Sequence, residues 1–245
     1  MKAIKDFKPE IQKLLPMDYS MLQSSLKQIE NKKIETSKSK ELLELTKNPD
    51  IHLSVVLSQI PVADEDFEFD PKMFPNGALD VNGQQIDLRD NNTWNYELKD
   101  VSLTEFMEVQ TINSTAPFIL NSQLRELMAK DKTVDKWIVN VSAMEGQFYR
   151  LNKTTKQPHT NMAKASLNMM SRTCGAEFAK DRIYMNAVDT GWVTDERAKG
   201  YTTLFTAPLD EIDGAARCLD PVIVGYNTKK NIHSKFLKDY KIELW

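Results

Sequence analysis

The first 76 of this chain's 245 residues contain no glycine, and the whole chain holds only eight. That gap excludes a glycine-rich turn there, the element that lets backbone approach phosphate oxygens at a helix N-terminus. Cysteine is equally sparse. Cys174 and Cys218 are the two present, too few for a disulfide scaffold, and they read as one pair or two reduced thiols. His52, His159 and His233 lie far apart, without the spacing of metal ligands. No apolar run approaches the roughly 20 residues that cross a bilayer, and the start Met1-Lys2-Ala3-Ile4 lacks the apolar stretch of a secretion signal. Excess charge of one sign is missing too. With 32 basic and 35 acidic side chains the formal net charge is -3, which gives no electrostatic case for nucleic acid. At 41% hydrophobic residues, a globular cytoplasmic protein is expected, partnered by neither nucleic acid nor membrane.

What is there divides unevenly. Residues 1–50 are rich in Lys and Glu, broken by Pro9, Pro16 and Pro49, and read as a charged helical lead-in. Leu53-Ser54-Val55-Val56-Leu57 is a short strand or a buried helix turn, which periodicity does not separate. Pro61, Pro71, Pro75 and Asn76-Gly77 then mark an exposed loop, and the polar stretch through Trp94 an ordered connection. From Ser102 the pattern sharpens. Ser102-Leu103-Thr104-Glu105 has the form of a capping box, and Phe106, Val109, Ile112, Ala116, Ile119 and Leu120 recur at helical spacing to about Met128. Trp137 to Ser142 reads as a buried strand, Thr160 to Lys180 as a helix, and Ile183 to Val188 as a second strand. Strand, helix, strand implies a right-handed parallel crossover. Leu209 to Leu219 suggests another helix, and Lys235 to Asp239 a terminal strand or turn.

Four segments in order carry a resemblance. They are Asn113-Ser114-Thr115-Ala116-Pro117-Phe118, Val139-Asn140-Val141-Ser142-Ala143, Asn161-Met162-Ala163-Lys164-Ala165 and Met185-Asn186-Ala187-Val188-Asp189-Thr190-Gly191. Together they resemble the second half of a short-chain dehydrogenase/reductase. Val141 to Gly146, Pro158 to Lys164, Val188 to Trp192 and Phe236 to Tyr240 resemble a divergent, uncharacterised branch of it. The likeness covers roughly residues 51–245, read as the C-terminal portion of such a domain. It implies an α/β chain, a partial Rossmann-like fold with a short parallel sheet flanked by long helices. It also implies NAD or NADP as cofactor, and oxidoreduction of a small-molecule alcohol or carbonyl. By resemblance, Ser142 hydrogen-bonds the substrate oxygen. Lys164 binds the nicotinamide ribose and lowers the pKa of a neighbouring tyrosine. Asn113 holds a relay water, and Thr190 and Gly191 lie against the carboxamide. The two long helices imply a homo-oligomer, or association with a full-length relative.

One expectation comes from the residues themselves. Pro117 has no amide hydrogen to offer the carbonyl of Asn113 four residues back. A helix through both positions must kink, either freeing that carbonyl for a relay water or simply bending around a core.

The chain departs from the pattern twice. Thr160 stands four residues before Lys164, where the family places a tyrosine. A threonine hydroxyl does not ionise near neutral pH, so Thr160 reads as a helix N-cap. His159 and Tyr149 are the remaining acid/base candidates, each also readable as a capping or loop residue. The glycine turn and first strands of the family have no counterpart, since Gly77 and Gly83 are isolated. The cofactor's adenosine half then lacks a site, and a sheet edge is left open. A catalytically inactive relative serving as a dimerisation or binding module is therefore the alternative, and a truncated gene product a third.

Overall fold

The computed structural model describes residues 70–80, 83–151, 153–194, 196, 198 and 207–245, all within one compact unit, Glu68–Trp245. The charged lead-in over 1–50 and the strand-or-turn at Leu53–Leu57 lie outside the described residues.

The fold is α/β, as the resemblance implied. Strand β1 (Lys136–Ser142) pairs in parallel with β2 (Ile183–Asp189), in a register that sets Ser142 opposite Asp189. Strand β3 (Phe236–Lys238) adds in parallel to β2. The expected short parallel sheet is β1-β2-β3, and β4 (Lys241–Glu243) then turns back antiparallel to β3. Asp239 and Tyr240 both have positive φ, 46° and 64°. Two such residues make the tight hairpin that lets the chain reverse. The order is β1-β2-β3-β4, and among the described residues no strand lies beyond β1.

Side chains alternate across the sheet and sort the helices into two layers. Ile138, Ile183 and Met185 face Phe178 and Cys174 of α3 (Pro158–Ala179), with Met128 and Ala129 of α2 (Ala116–Ala129) completing the core. Trp137 and Tyr184 lie on the other face with their rings 6.3 Å apart. There, α4 (Glu211–Thr228) comes so close that a Cβ on Gly225 would sit 2.9 Å from the Trp137 indole nitrogen. A buried polar chain ties the first layer to the sheet. Asn121 donates to Asn140 at 3.0 Å, Asn140 to Ser171 at 2.9 Å, and Ser171 to the Leu167 carbonyl at 3.0 Å. Satisfied in this way, the buried amides fix the register of α2, β1 and α3.

The long helix ahead of β1 forms, with a defect. Helix α1 (Leu103–Gln110) is capped by Ser102, whose hydroxyl accepts from the Glu105 amide at 3.1 Å. Over Thr111–Thr115 the spiral widens to a π turn, in which the Ala116 amide reaches back to Thr111, before α2 resumes. The wide turn surrounds Asn113, just ahead of the proline that cannot donate to it. Ile112, Ile119 and Leu120, part of the helically spaced apolar set, are exposed. Helix α3 begins two residues before Thr160. Gln157, with a left-handed φ of 56°, is the cap, which corrects the reading of Thr160 as N-cap. Helix α4 runs nine residues past the expected end, carrying Pro221 and Gly225 inside it. Asp210 and Asp213 form its capping box, a signal the sequence reading passed over.

Candidate functional site

An open cleft of about 820 Å³ lies at the carboxyl ends of β1 and β2. Parallel strands leave this end free for ligands, because the chain departs here into loops on opposite sides. Ser142, Lys164, Thr190 and Gly191 all line it. The fold thus brings together four of the seven residues expected at the site.

Each is positioned by a specific contact. Ser142 closes β1 and is buried, its hydroxyl donating to Asn168 of α3 at 2.6 Å. Lys164, two turns into α3, donates from Nζ to the Val141 carbonyl at 3.1 Å. Burial pushes the Lys164 ammonium below the usual lysine range, since the charged form loses solvation. The backbone of α3 can lie this close to the loop after β1 because of Gly146. A Cβ there would meet the Lys164 carbonyl carbon at 2.6 Å. Gly191 has a φ of +78°, a conformation open to glycine, and a Cβ would strike Leu209 at 2.5 Å.

Asp189 is the staple that joins these parts. Its buried carboxylate accepts from the Met144 amide at 2.7 Å and the Gly191 amide at 2.6 Å. Lys238 of β3 approaches it at 3.6 Å. One side chain therefore holds the loop after β1, the loop after β2 and the end of β3 around the cleft. Asp189 stood inside a quoted motif, but its role was invisible there because its partners come from three separate segments. Asn168, Gly146 and Lys238 escaped notice for the same reason. A glycine two residues after a strand-end aspartate is the one local hint.

The other three expected residues are placed elsewhere. Asn113 sits in the π turn, its side chain donating to the Val109 carbonyl at 3.3 Å, and it does not line the cleft. His159 is buried against α1, with Nε2 3.4 Å from Glu105 and Nδ1 without a hydrogen-bond partner. Burial lowers its pKa. Tyr149 is exposed in the loop after β1, as is Phe148 beside it. Neither His159 nor Tyr149 lines the cleft. Cys174 and Cys218 are unbonded, and among the described residues no group of His, Cys, Asp or Glu could hold a metal ion. No described helix is long and apolar enough to cross a membrane.

A family model described as enoyl-(acyl carrier protein) reductase matches residues 77–216. An uncharacterized protein of Acanthamoeba polyphaga mimivirus is 29% identical over 169 residues, covering 65% of this chain and 35% of that protein. The chain thus spans about a third of the length of that curated relative. NADPH-bound carbonyl reductase from chicken fatty liver is 21% identical, with 64% of each chain covered and a TM-score of 0.46. Carbonyl reductase Sniffer of D. melanogaster is 18% identical, with 62% of this chain and 61% of that one covered and a TM-score of 0.47.

Proposed function

The chain belongs to the short-chain dehydrogenase/reductase family, matching its enoyl-(acyl carrier protein) reductase model over more than half its length, and from that premise we propose an NAD(P)-dependent oxidoreductase acting on an alcohol or carbonyl group. The observation that carries the proposal is the placement of Ser142 and Lys164 in one cleft with Thr190 and Gly191.

The nicotinamide side of the cofactor suits the residues present. Gly191 keeps its part of the wall as bare backbone, and Lys164 adds a cation to the same lining. Bound there, the nicotinamide would supply or accept a hydride. The glycine-free first 76 residues offer no turn for the pyrophosphate, so the nicotinamide contacts carry the fit. Ser142 is the group proposed to hold the substrate oxygen. With Thr160 in the place of a phenol, Lys164 is the proposed proton donor, because its burial favours the neutral amine it would leave behind. Calorimetric titration with NADH and NADPH tests the reading. Saturable binding that Lys164→Met weakens is expected, and no binding at millimolar cofactor removes the proposal. A cytoplasmic setting accords with the two unbonded thiols.

A second reading, a cofactor-free module that dimerises or joins a full-length relative, is favoured by two observations. Neither His159 nor Tyr149 lines the cleft, and Ile112, Phe118, Met162 and Met169 on α2, α3 and the π turn are exposed. Burying such a face between two copies is a strong drive to associate. Sedimentation of the full chain, alone and beside an intact relative, tests it, and a monomer in both runs counts against it. A glycine-rich turn encoded in frame just upstream would instead indicate a truncated gene product.

A further inference from the structure

The Ser142 hydroxyl donates to Oδ1 of Asn168 at 2.6 Å, and both residues are buried. Ser142 lines the cleft and Asn168 does not, so the carboxamide backs the hydroxyl from outside the lining. A serine has one proton to give, and the group behind it decides where that proton points. A rear acceptor takes the proton and leaves lone pairs toward the cleft. A rear donor binds a lone pair and sends the proton forward.

Asn168 is equipped for both roles. Its Nδ2 is buried without a hydrogen-bond partner among the described residues, so one end of the carboxamide is engaged and the other is not. Asn140, in the same buried layer, differs. Its oxygen accepts from Asn121 at 3.0 Å and its nitrogen donates to Ser171 at 2.9 Å. With both ends engaged, Asn140 is pinned in one orientation. Turning the Asn168 carboxamide over would set Nδ2 on the Ser142 oxygen and leave Oδ1 unmatched instead. The two ends have nearly the same shape, and each orientation leaves one polar atom without a partner. The balance is therefore close enough for one ligand hydrogen bond to tip it.

We propose that Asn168 is a positioning residue for Ser142, and that its half-engaged carboxamide lets this hydroxyl act as acceptor or as donor toward a ligand oxygen. The inference rests on the oxidoreductase reading for Ser142 as the group that meets that oxygen, though the turn of the carboxamide itself needs no cofactor. A carbonyl oxygen only accepts, so it requires the Ser142 proton turned forward. An alcohol can meet a Ser142 lone pair with its own proton. A rear partner that only accepts would hold the alcohol and shut out the carbonyl, whereas a carboxamide that turns over serves both.

The test is NMR titration of the full chain with cyclohexanol and cyclohexanone, probes of similar shape that differ in whether the oxygen carries a proton. At mildly alkaline pH the unaltered chain is expected to bind the two within about threefold of each other. Asn168→Asp, an acceptor alone once ionised, should shift the ratio about tenfold toward the alcohol. Asn168→Leu keeps the shape but takes no proton, and should shift the ratio about threefold toward the ketone. Adding Ser142→Ala to either variant should erase the shift, since Asn168 acts through that hydroxyl. A side chain that only packs the core would move both affinities together and leave the ratio alone. An effect of the new carboxylate on Lys164, one turn earlier on α3, would survive Ser142→Ala. If Asn168→Leu does not fold, Asn168→Asp with and without Ser142→Ala carries the comparison. An unchanged ratio in Asn168→Asp, a shift that survives Ser142→Ala, or no saturable binding of either probe would overturn the proposal. A parallel NADPH titration separates the two claims. The shift without NADPH binding upholds the role of Asn168 and sinks the oxidoreductase, and NADPH binding without the shift does the reverse.

Discussion

The two ends of the β1–β2 pair carry similar polar chemistry and use it in opposite ways. At the amino end, Asp135 accepts from Arg182 at 2.8 Å, from Asn231 at 3.1 Å and from the Tyr184 hydroxyl at 3.4 Å. The carboxylate there is 10% exposed and spoken for on every side. At the carboxyl end, Asp189 is just as buried, but its partners are two backbone amides and a lysine that form the rim of a cleft. One carboxylate closes an end of the sheet, and the other props an end open. Residue type does not distinguish them. What does is whether the partners are side chains that fill space or loop amides that outline it.

The largest expected effect strikes the open end. Gly146→Val places a side chain where a Cβ already meets the Lys164 backbone at 2.6 Å. Chemical denaturation should show a loss of about 3 kcal/mol, and nicotinamide binding should fall with it. A stable Gly146→Val protein with intact binding would mean that the loop does not set the cleft.

Next comes the closed end. Asp135→Ala leaves Arg182 and Asn231 without their shared acceptor, and the melting temperature should drop by about 5 °C while cofactor affinity stays put. The Arg182 guanidinium holds the Asp135 carboxyl below its ordinary 3.8. Its contribution to stability is therefore full above that pH and lost as pH falls through the folded value. Asp135→Asn should flatten this acid limb. Loss of cofactor binding in either variant would break the contrast between the ends.

Lys164→Met addresses function with little cost in stability, because it removes an ammonium that burial already disfavours. Nicotinamide affinity should weaken about tenfold with an unchanged melting curve. The smallest effect is expected at His159, outside both ends. Burial holds its pKa below 6.5, so the unfolded chain binds that proton more tightly. Stability contributed above pH 6.5 should decline as pH falls from there through the folded value. His159→Gln should remove the slope. A bell-shaped activity profile that follows His159 instead would restore it as an acid/base group.

Much of the fold was legible because it is local. The apolar run Trp137–Val139 and the cap at Ser102 announce a strand and a helix through neighbouring residues alone. Elements that break local rules were not legible. Helix α4 passes through Pro221 and Gly225, both buried, so tertiary packing overrides their low helix propensity. The hairpin from β3 to β4 needs positive φ at Asp239 and Tyr240, which neither residue type announces. At the site, Ser142, Lys164, Thr190 and Gly191 stood out through their motifs. His159 and Asn113 stood out equally, and the chain routes them elsewhere.

The sequence by itself determined the family, the α/β alternation and the residue types at the strand ends, because periodicity and short motifs are written in adjacent positions. Only the tertiary structure decided which of those residues meet. The register of β1 on β2 puts Ser142 level with Asp189, and the close approach at Gly146 brings α3 and Lys164 to the same rim. Contacts between segments dozens of residues apart are set by packing and backbone geometry, which no single stretch of sequence contains.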